Sequence, residues 1–271
     1  MVNGRFSRLL EDSGIPDADF EITCMLEQVT GMRYLQTLTP EQEQTVLSMI
    51  QRRIKGEPLQ YILGEWEFYG MKIFIGEGVL IPRPDTELLV DTVLNLFRNK
   101  SGLKILDLCT GSGCIALALK RHLPDAHVSG IDISETALSY ARKNAGYHHL
   151  DMHFHHADVL NPASAEQFRD YDIIISNPPY LTASEMADLQ SEVRHEPALA
   201  LYGGTDGMNF YQHITSIWKT ALQSGGLLAY EIGWKQARSV REVLASNHFH
   251  DIHIIQDLEH RDRVVTGIKN F

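Results

Sequence analysis

The sequence predicts an α/β fold, in which an open and mainly parallel sheet follows a small helical region. The strongest observation is the run Ile173–Ile175, which is β-branched without alternation and therefore typical of a central parallel strand buried on both faces. From about residue 104 onward, short apolar strands alternate with helical patterns, as in β-α-β units. The length of 271 residues is enough for one large α/β domain and a smaller one.

Composition narrows the class of protein. Hydrophobic residues make up 44% of the chain and charged residues 22%, which is ordinary for a soluble globular protein. We find no apolar run long enough to span a bilayer and no signal-peptide pattern. The cysteines Cys24, Cys109 and Cys114 are not spaced as a disulfide framework or as a CxxC pair. We therefore expect reduced thiols and a cytoplasmic location.

The net charge of −11 weighs against duplex DNA as the main substrate, because neutralising phosphates takes clustered Lys and Arg. The densest basic run, Arg52–Lys55, is short. Cations are favoured near the C-terminal end of a helix, so we interpret this run as a solvated helix end.

Residues 1–60 are predicted to be all-helical. Apolar residues recur there at helical spacing in three stretches, which end at Gly14, Gly31 and Gly56, and Pro40 suits the first turn of the third. The predicted apolar positions are Phe6, Leu9, Leu10, Ile22, Met25, Leu26, Val29, Val46, Leu47, Ile50 and Ile54. The region contains no catalytic constellation, so we expect it to serve recognition or packing.

Residues 61–84 are predicted to form a linker with two short strands around a tight turn at Gly70. Arg83 lies between two prolines, which hold it on a stiff, extended segment. It is either an ordinary surface residue or a side chain positioned for a ligand, and its rigid setting favours the second interpretation.

The main domain is predicted to span residues 85–271 and to begin with a helix at Asp85 or Thr86. The apolar face of this helix is predicted to carry Leu88, Leu89, Val93, Leu96 and Phe97.

The segment Lys104–Gly113 has the pattern of a hydrophobic strand followed by a glycine loop, and an apolar helix comes next. The glycines Gly111 and Gly113 let the loop approach a ligand closely. The acidic residue Asp107 precedes them, where it would repel a pyrophosphate but attract a cationic sulfonium amino acid. The pattern therefore indicates S-adenosylmethionine, with Asp107 as a candidate contact.

Two further acids follow the next two predicted strands. Asp132 lies about 20 residues after the glycine loop, where a carboxylate meets ribose hydroxyls in nucleotide-binding β-α-β units. Asp158 can accept from an adenine amino group, with Val159 against the ring. Taken alone, Asp158 suits a helix cap nearly as well, but acids after three successive strands favour a cofactor site.

The predicted central strand ends abruptly at Asn177-Pro178-Pro179-Tyr180. The two prolines fix the backbone and cannot donate to a sheet, so the chain leaves the sheet along a rigid path. The Asn177 side-chain oxygen and the Pro178 carbonyl can each accept one N–H from a planar NH₂ group, while Tyr180 covers its face. A stiff turn without function is the alternative interpretation of the tetrapeptide alone.

Five histidines lie close together in the sequence, namely His148, His149, His153, His155 and His156. They straddle a loop and an alternating strand, with no Cys or Glu at zinc-ligand spacing. We therefore predict no metal site. A nucleophile elbow, a Walker loop and a His-Glu-x-x-His motif are also missing from the sequence.

The rest of the chain is predicted to complete the sheet. Residues 181–196 are polar and predict a loop with a short helix, and a helix around 210–218 follows. We expect a strand over 227–232 that begins after Gly225-Gly226, a helix over 235–246, and an antiparallel end formed by 252–257 and 263–268.

Five segments together resemble the peptide-chain release factor glutamine N5-methyltransferases, over nearly the whole chain. These segments are Gly56–Gly64, Ile81–Glu87, Leu106–Ile115, Asn177–Tyr180 and Glu231–Gly233. The glycine loop is shared with many methyltransferases and Asn-Pro-Pro-Tyr with DNA adenine methyltransferases, so the two segments before residue 90 point to this family. Two departures are Cys109, where glycine is common, and Asp85, where glutamate is common.

The resemblance implies a seven-strand Rossmann-like methyltransferase domain behind a helical domain that helps to grip a class I release factor. The substrate would be the glutamine of its Gly-Gly-Gln motif, methylated on the side-chain amide nitrogen, with S-adenosylhomocysteine as the other product and no metal. The implied cofactor contacts are Cys109, Thr110, Gly111, Ser112, Gly113, Asp132, Val159 and Asn177. The implied substrate contacts are Asn177, Pro178, Pro179 and Tyr180, with Arg83 and Glu231 as candidates for shaping the pocket.

Two alternatives remain open at this point. A nucleic-acid adenine N6-methyltransferase would use the same loop on another planar NH₂ group, but residues 1–60 have neither an obvious basic face nor stacking aromatic residues. A non-catalytic protein with a cofactor fold would predict loss of the acids or of Asn-Pro-Pro-Tyr, and both are intact. We therefore expect a monomeric enzyme that acts on a protein, without direct DNA binding.

Overall fold

The computed structural model describes residues 2–33 and 37–270. A helical region comes first, a β-hairpin follows, and a seven-stranded sheet with helices forms the rest. The predicted fold class is confirmed. The predicted all-helical region includes residues 34–36, which lie outside the described residues.

The helices and strands occur in the following places. The helices are α1 (Val2–Glu11), α2 (Ala18–Thr30), α3 (Pro40–Ile54), α4 (Leu59–Leu63), α5 (Glu87–Phe97), α6 (Cys114–His122), α7 (Glu135–Tyr147), α8 (Pro162–Ala165), α9 (Ala183–Ala187), α10 (Ala198–Leu201), α11 (Asn209–Trp218) and α12 (Ala237–Ser246). The strands are β1 (Glu65–Phe68), β2 (Met71–Phe74), β3 (Lys104–Leu108), β4 (His127–Asp132), β5 (His153–His156), β6 (Tyr171–Ser176), β7 (Leu222–Glu231), β8 (Phe249–Gln256) and β9 (Asp262–Lys269).

The helical region has local signals at its helix ends. Gly31 ends α2 with φ of 73°, a left-handed conformation that glycine adopts at little cost. Thr39 caps α3 in a capping box with Gln42, whose backbone N–H donates to the Thr39 hydroxyl at 3.2 Å. Ile54 at the end of α3 is 44% exposed, so its predicted place in the apolar stripe is wrong. Helix α4 was not predicted.

The hairpin β1–β2 confirms the prediction of two short strands around a tight turn. Its two turn residues, Tyr69 and Gly70, both have positive φ, of 52° and 66°. That pair of angles is characteristic of the type I′ turn, whose twist matches that of two antiparallel strands.

The large sheet has the order β5-β4-β3-β6-β7-β9-β8. The first five strands are parallel, and β9 and β8 form the predicted antiparallel end. Strand order reverses at β3, because β4 lies on one side of it and β6 on the other. Such a switch point, at the carboxyl ends of the strands, is where open α/β sheets bind ligands.

The central strand β6 is buried on both faces, as its unbroken apolar run predicts. Ile173 and Ile175 pack into one core cluster with α5 and α6, whereas Ile174 packs into the other with α11 and α12. Leu96 in α5 is 57% exposed, so its predicted place on the apolar face is wrong.

Strand β7 begins earlier than predicted, at Leu222 rather than after Gly225-Gly226. Its pairing with β6 shifts register between Tyr171 and Ile173, and the two glycines lie in this irregular stretch. Glycine inside a strand often marks such an irregularity. The prediction that Gly225 and Gly226 precede the strand is wrong, because both lie inside β7.

A buried ion pair joins two helices of the N-terminal region and a distant loop. The Arg53 guanidinium donates to both Glu21 oxygens, at 2.7 and 3.0 Å, and also pairs with Glu192. The Arg53 side chain is only 4% exposed and that of Glu21 10%. The neighbouring Arg52 pairs with Glu57 at 2.5 Å, but it is 45% exposed.

We expect Arg53→Ala to lower the free energy of unfolding by about 3 kcal/mol, because it leaves the Glu21 carboxylate buried without its partner. Arg52→Ala, the same change one position earlier, should cost less than about 1 kcal/mol, because the Arg52–Glu57 pair is solvent-screened. Urea unfolding of the two variants beside the wild type measures both values. Equal losses would contradict the assignment of the buried pair.

Candidate active site

The loop between β3 and α6 needs left-handed backbone at three positions. Gly111 and Gly113 have φ of 56° and 81°, and Cys109 has φ of 60°. A Cβ at Gly113 would lie 3.1 Å from the Cβ of Ala141, so the loop also packs closely on α7. The glycine that is common at position 109 would meet this backbone demand without strain, whereas Cys109 adopts a conformation that L-residues rarely take.

Asp107 lies beneath this loop and is fully buried. One of its oxygens, Oδ2, accepts a hydrogen bond from the Thr110 hydroxyl at 2.5 Å, while Oδ1 has no partner within the described residues. Burial raises the pKa of Asp107 to about 7. An unpartnered buried oxygen is costly and suits a cationic ligand on the far side of the loop.

Asp132, at the end of β4, ties the glycine loop to the start of α7. Its carboxylate accepts the backbone N–H of Gly111 at 2.8 Å and that of Ser134 at 2.9 Å. Burial raises its pKa above the ordinary value for aspartate. A carboxylate accepts about four hydrogen bonds in total, so acceptor capacity remains for ligand hydroxyls.

Asp158 and Val159 form the next part of the wall. Asp158 accepts the backbone N–H of Leu160 at 2.8 Å, a local turn that holds the carboxylate in place. Val159 is buried, and its carbonyl accepts from the indole N–H of Trp218 at 2.9 Å. A branched apolar side chain fixed in this way offers a flat, rigid surface to a planar ring.

Asn177 begins the loop that leaves β6. The Ser176 hydroxyl just before it donates to the Leu108 carbonyl at 2.6 Å, which fastens the ends of β6 and β3 to each other. The Asn177 side chain donates from Nδ2 to the Thr86 hydroxyl at 3.2 Å. This contact leaves the amide oxygen Oδ1 available to a ligand.

Tyr180 is held from below by a glutamine that the sequence did not single out. Gln236 donates from Nε2 to the Tyr180 carbonyl at 3.0 Å and accepts from the Gly233 N–H at 2.9 Å. A Cβ at Gly203 would lie 2.6 Å from the Tyr180 Cα, so only glycine fits beside the loop there. Burial raises the pKa of the Tyr180 phenol well above its usual value and keeps it neutral.

One cavity, with about 1080 Å³ of empty space including its open mouth, lies at this edge of the sheet. The predicted residues that line it are Arg83, Cys109, Thr110, Gly111, Ser112, Asp132, Asp158, Val159, Asn177 and Pro179. The predicted residues Asp107, Gly113, Pro178 and Tyr180 are outside this lining. The wall also includes residues that the sequence analysis did not select, namely Thr86, Ile133, Leu160, Leu199 and Phe210.

Arg83 is positioned at the cavity, as its two flanking prolines favoured. Its guanidinium pairs with Glu196, whose other oxygen accepts the Ile81 N–H at 3.0 Å. Asp85, where glutamate is common, reaches Arg263 at 3.0 Å. Ion pairs therefore fix both Arg83 and Asp85.

Glu231 ends β7 behind the Asn177 loop and is 2% exposed. Its Oε2 has no partner within the described residues. Burial raises the pKa of Glu231 to about 7. The sequence marked Glu231 only as a candidate for shaping the pocket.

The donor set fits S-adenosylmethionine better than a phosphate-bearing cofactor. Carboxylates surround the glycine loop from Asp107, Asp132 and Asp158, which suits a cationic ligand and repels an anion. The free capacity of Asp132 suits ribose hydroxyls, and the apolar wall at Val159 suits an adenine ring.

In the described part of the chain, no group of three or more His, Cys, Asp or Glu is arranged to hold a metal ion. No helix there is long and apolar enough to cross a membrane.

Comparison with known proteins gives the same assignment. The family described as "Methyltransferase small domain" matches residues 84–198, and "PrmC N-terminal domain" matches residues 4–64. A release factor glutamine methyltransferase from Thermodesulfovibrio yellowstonii is 44% identical over 84% of this chain and 82% of its own length. One from Geobacter sulfurreducens is 37% identical over 95% of this chain and 92% of its own length. A methyltransferase structure from Pyrococcus furiosus has a TM-score of 0.57 at 16% identity, covering 86% of this chain and 100% of that one.

The fold and the cavity at its switch point define a Rossmann-like methyltransferase. Its relatives match both the helical region and the sheet domain over most of their length. The chain belongs to the family of release factor glutamine methyltransferases.

The left-handed backbone at Cys109 gives a direct test of the loop. Cys109→Gly relieves strain but loses a partly buried thiol and gains unfolded-state entropy, so we expect its stability to stay within about 1 kcal/mol of wild type. Cys109→Val adds a β-branch where φ is positive and should lower stability by a further 1–2 kcal/mol, roughly.

Thermal unfolding, with and without S-adenosylhomocysteine, measures both the stability and the ligand-induced rise in melting temperature. The glycine variant should keep that rise, and the valine variant should lose most of it. A valine variant as stable as wild type would contradict the strained geometry.

Proposed function

We propose that this chain, a protein-glutamine methyltransferase by family, methylates the side-chain amide nitrogen of the glutamine in the Gly-Gly-Gln motif of class I release factors. The observation that carries the proposal is the position of Asn177-Pro178-Pro179-Tyr180 at the end of β6, beside the glycine loop at the end of β3. Its relatives at 44% and 37% identity are named release factor glutamine methyltransferases, which supports the choice of substrate.

Asn177 and Pro178 would hold the reacting nitrogen. Asn177 Oδ1 faces no partner within the described residues, and Pro178 lacks a backbone N–H that would compete for an acceptor. Each oxygen would accept one N–H of the substrate amide, so that the nitrogen lone pair points into the cavity. Positioning of this kind is worth several orders of magnitude in rate.

The same two acceptors would lower the barrier electrostatically. An amide nitrogen is a poor nucleophile because its lone pair is conjugated with the carbonyl. Positive charge develops on the NH₂ group during transfer, and acceptors already aimed at its hydrogens stabilise that charge without reorganising. A strong base is therefore not required before the methyl group is transferred.

The cofactor would lie along the loop from Cys109 to Gly113. Asp132 would accept from ribose hydroxyls and Asp158 from the adenine amino group, with Val159 against the ring. Asp107 would act from beneath the loop, through its field and through the Thr110 hydroxyl that it holds, because it is fully buried and outside the lining. When bound, S-adenosylmethionine supplies an electrophilic methyl group and leaves as S-adenosylhomocysteine.

The helical region, α1 to α4, would help to grip the release factor. It adjoins the loop after Tyr180 through the contact between Arg53 and Glu192, so a protein held by this region lies next to the cavity. Release factors act in the cytoplasm, and the three cysteines, Cys24, Cys109 and Cys114, are all free thiols in the structure. We propose a monomer that acts on this partner, without DNA binding.

The decisive experiment transfers labelled methyl from S-adenosylmethionine to three substrates side by side. These are a purified class I release factor, the same factor with its Gly-Gly-Gln glutamine changed to alanine, and adenine-containing DNA. We expect label on the intact factor only. Label on DNA would overturn the choice of substrate, and label on the alanine variant would overturn the choice of residue.

Asn177→Ala should keep cofactor affinity while lowering kcat on the release factor by about 100-fold, because it removes one acceptor that acts on the developing charge. Asn99→Ala, the same change at an exposed position beyond α5, serves as the matched control and should behave as wild type. Single-turnover methyl transfer and calorimetric cofactor binding give the two quantities separately. Wild-type turnover in Asn177→Ala would refute the proposed role of this side chain.

A further inference from the structure

The loop Asn177–Tyr180 is fastened to the rest of the fold at both ends. At its start, the Ser176 hydroxyl donates to the Leu108 carbonyl at 2.6 Å. At its end, Gln236 donates from Nε2 to the Tyr180 carbonyl at 3.0 Å. The two prolines in between have a fixed φ, so the backbone has few free torsions with which to absorb a shift of either end. A displaced Tyr180 carbonyl therefore displaces the rest of the loop as well.

Gln236 uses both ends of its amide group on backbone atoms. Nε2 carries two hydrogens, and it donates to the Tyr180 carbonyl and to the Gly207 carbonyl, at 3.0 and 3.2 Å. Oε1 accepts the Gly233 N–H at 2.9 Å. A flipped amide would set its oxygen against two carbonyls and its NH₂ group against an N–H, so backbone groups alone fix its orientation. This carbonyl clamp joins three segments of the chain.

Glycines bring the neighbouring backbone against the clamp. A Cβ at Gly207 would overlap the Tyr180 carbonyl oxygen and lie 2.5 Å from Gln236 Nε2. A Cβ at Gly203 would lie 2.7 Å from the Pro179 carbonyl oxygen. Both glycines are buried. The end of the loop is thus enclosed by backbone on one side and by the Gln236 amide on the other, which leaves the Tyr180 carbonyl one position.

The Gln236 side chain is not used to start a helix. The residue immediately precedes α12, a position from which side chains often cap a helix. Gln236 makes no such side-chain bond, and its backbone carbonyl accepts the Val240 N–H at 2.9 Å. A substitution that changes only the side chain therefore leaves the start of α12 intact, and its effects report on the loops.

We propose that Gln236 is a positioning residue for methyl transfer, which holds the Asn177–Tyr180 loop in place through the carbonyl clamp. It acts through the Tyr180 carbonyl and the two rigid prolines on the acceptors proposed for Asn177 and Pro178. The role of those acceptors rests on the proposed function, whereas the clamp itself is a property of the chain.

The first test is Gln236→Glu, which keeps the shape and the acceptor for the Gly233 N–H. An ionised carboxylate donates to neither carbonyl and a neutral carboxyl to only one. We expect kcat on the release factor to fall by about 30-fold, because a small displacement of positioned groups slows the chemical step. The KM for the release factor and the Kd for S-adenosylhomocysteine should stay within about threefold of wild type, because neither ligand contacts Gln236.

Gln212→Glu, the same change at an exposed position on α11, is the matched control and should behave as wild type. A kcat of Gln236→Glu within about threefold of this control would overturn the proposal. A loss of cofactor affinity as large as the loss of kcat would also overturn it, because it would show a general structural role.

Two glycine variants test the clamp from the other side. Gly207 and Gly225 have φ of 74° and 76°, so alanine is strained to a similar degree at both. A Cβ at Gly225 would meet no described atom within 4 Å, whereas one at Gly207 would collide with the clamp. Gly207→Ala should therefore lower kcat about as much as Gln236→Glu, and Gly225→Ala should keep it. Equal kcat of the two alanine variants would overturn the proposal.

A spectroscopic test needs no substrate. The Leu181 amide nitrogen is bonded to the Tyr180 carbonyl carbon, so its signal reports the hydrogen bond to that carbonyl. Gln236→Glu should shift this signal and also the side-chain NH₂ signals of Asn177, which are assigned by their loss in Asn177→Ala, and Gln212→Glu should shift neither. Unchanged Asn177 signals in Gln236→Glu would overturn the proposal. If the signals shift but the wild type does not methylate the release factor, the proposed function fails and the clamp stands.

Discussion

The structure depends on the pairing of β3 with β6. These strands run parallel in a register that sets Leu108 opposite Ser176, and the Ser176 hydroxyl bonds the Leu108 carbonyl at 2.6 Å. Both strands therefore end at the same level of the sheet, β3 at the glycine loop and β6 at the Asn177 loop. Because their next neighbours lie on opposite sides, the two loops diverge and open a crevice. This single register therefore places the glycine loop and the Asn177 loop side by side at one cavity.

The energetically unfavourable features of this arrangement lie around the crevice. Asp107 and Glu231 are buried with pKa values raised to about 7, and each has an oxygen without a partner among the described residues. Cys109 adopts a left-handed φ of 60°. The unfolded chain ionises these carboxyls near pH 4, whereas the folded protein keeps them protonated up to about pH 7, so their contribution to stability falls as the pH rises from about 4 toward 7. Backbone strain and raised pKa values that cluster in one place are expected where a protein binds and reacts.

The sequence predicts the features of this site that short segments encode. The strand ends, the glycine loop and the Asn-Pro-Pro turn are each encoded within about ten residues, and their adjacency follows from parallel pairing. The partners of Asn177, Arg83 and Tyr180 could not be predicted, because they are distant in sequence. Thr86, Glu196 and Gln236 are separated from the residues they contact by 91, 113 and 56 positions, respectively. Ile54 and Leu96 show the limit of periodicity, since a helical stripe predicts a direction but not the width of the surface that covers it. Asp107 was predicted next to the ligand, whereas the structure places it under the loop, because a strand residue before the turn points into the core.

The segment after Tyr180 connects the helical region to the cavity wall. It leaves the Asn177 loop, meets Arg53 at Glu192, meets Arg83 at Glu196, and then contributes Leu199 to the lining. Both contacts use arginine, whose planar fork can hold more than one carboxylate at once, as Arg53 does with Glu21 and Glu192. A lysine would offer a point charge without this geometry. The helical region and the wall of the cavity are therefore joined by the same short stretch, so the two cannot shift independently without breaking an ion pair.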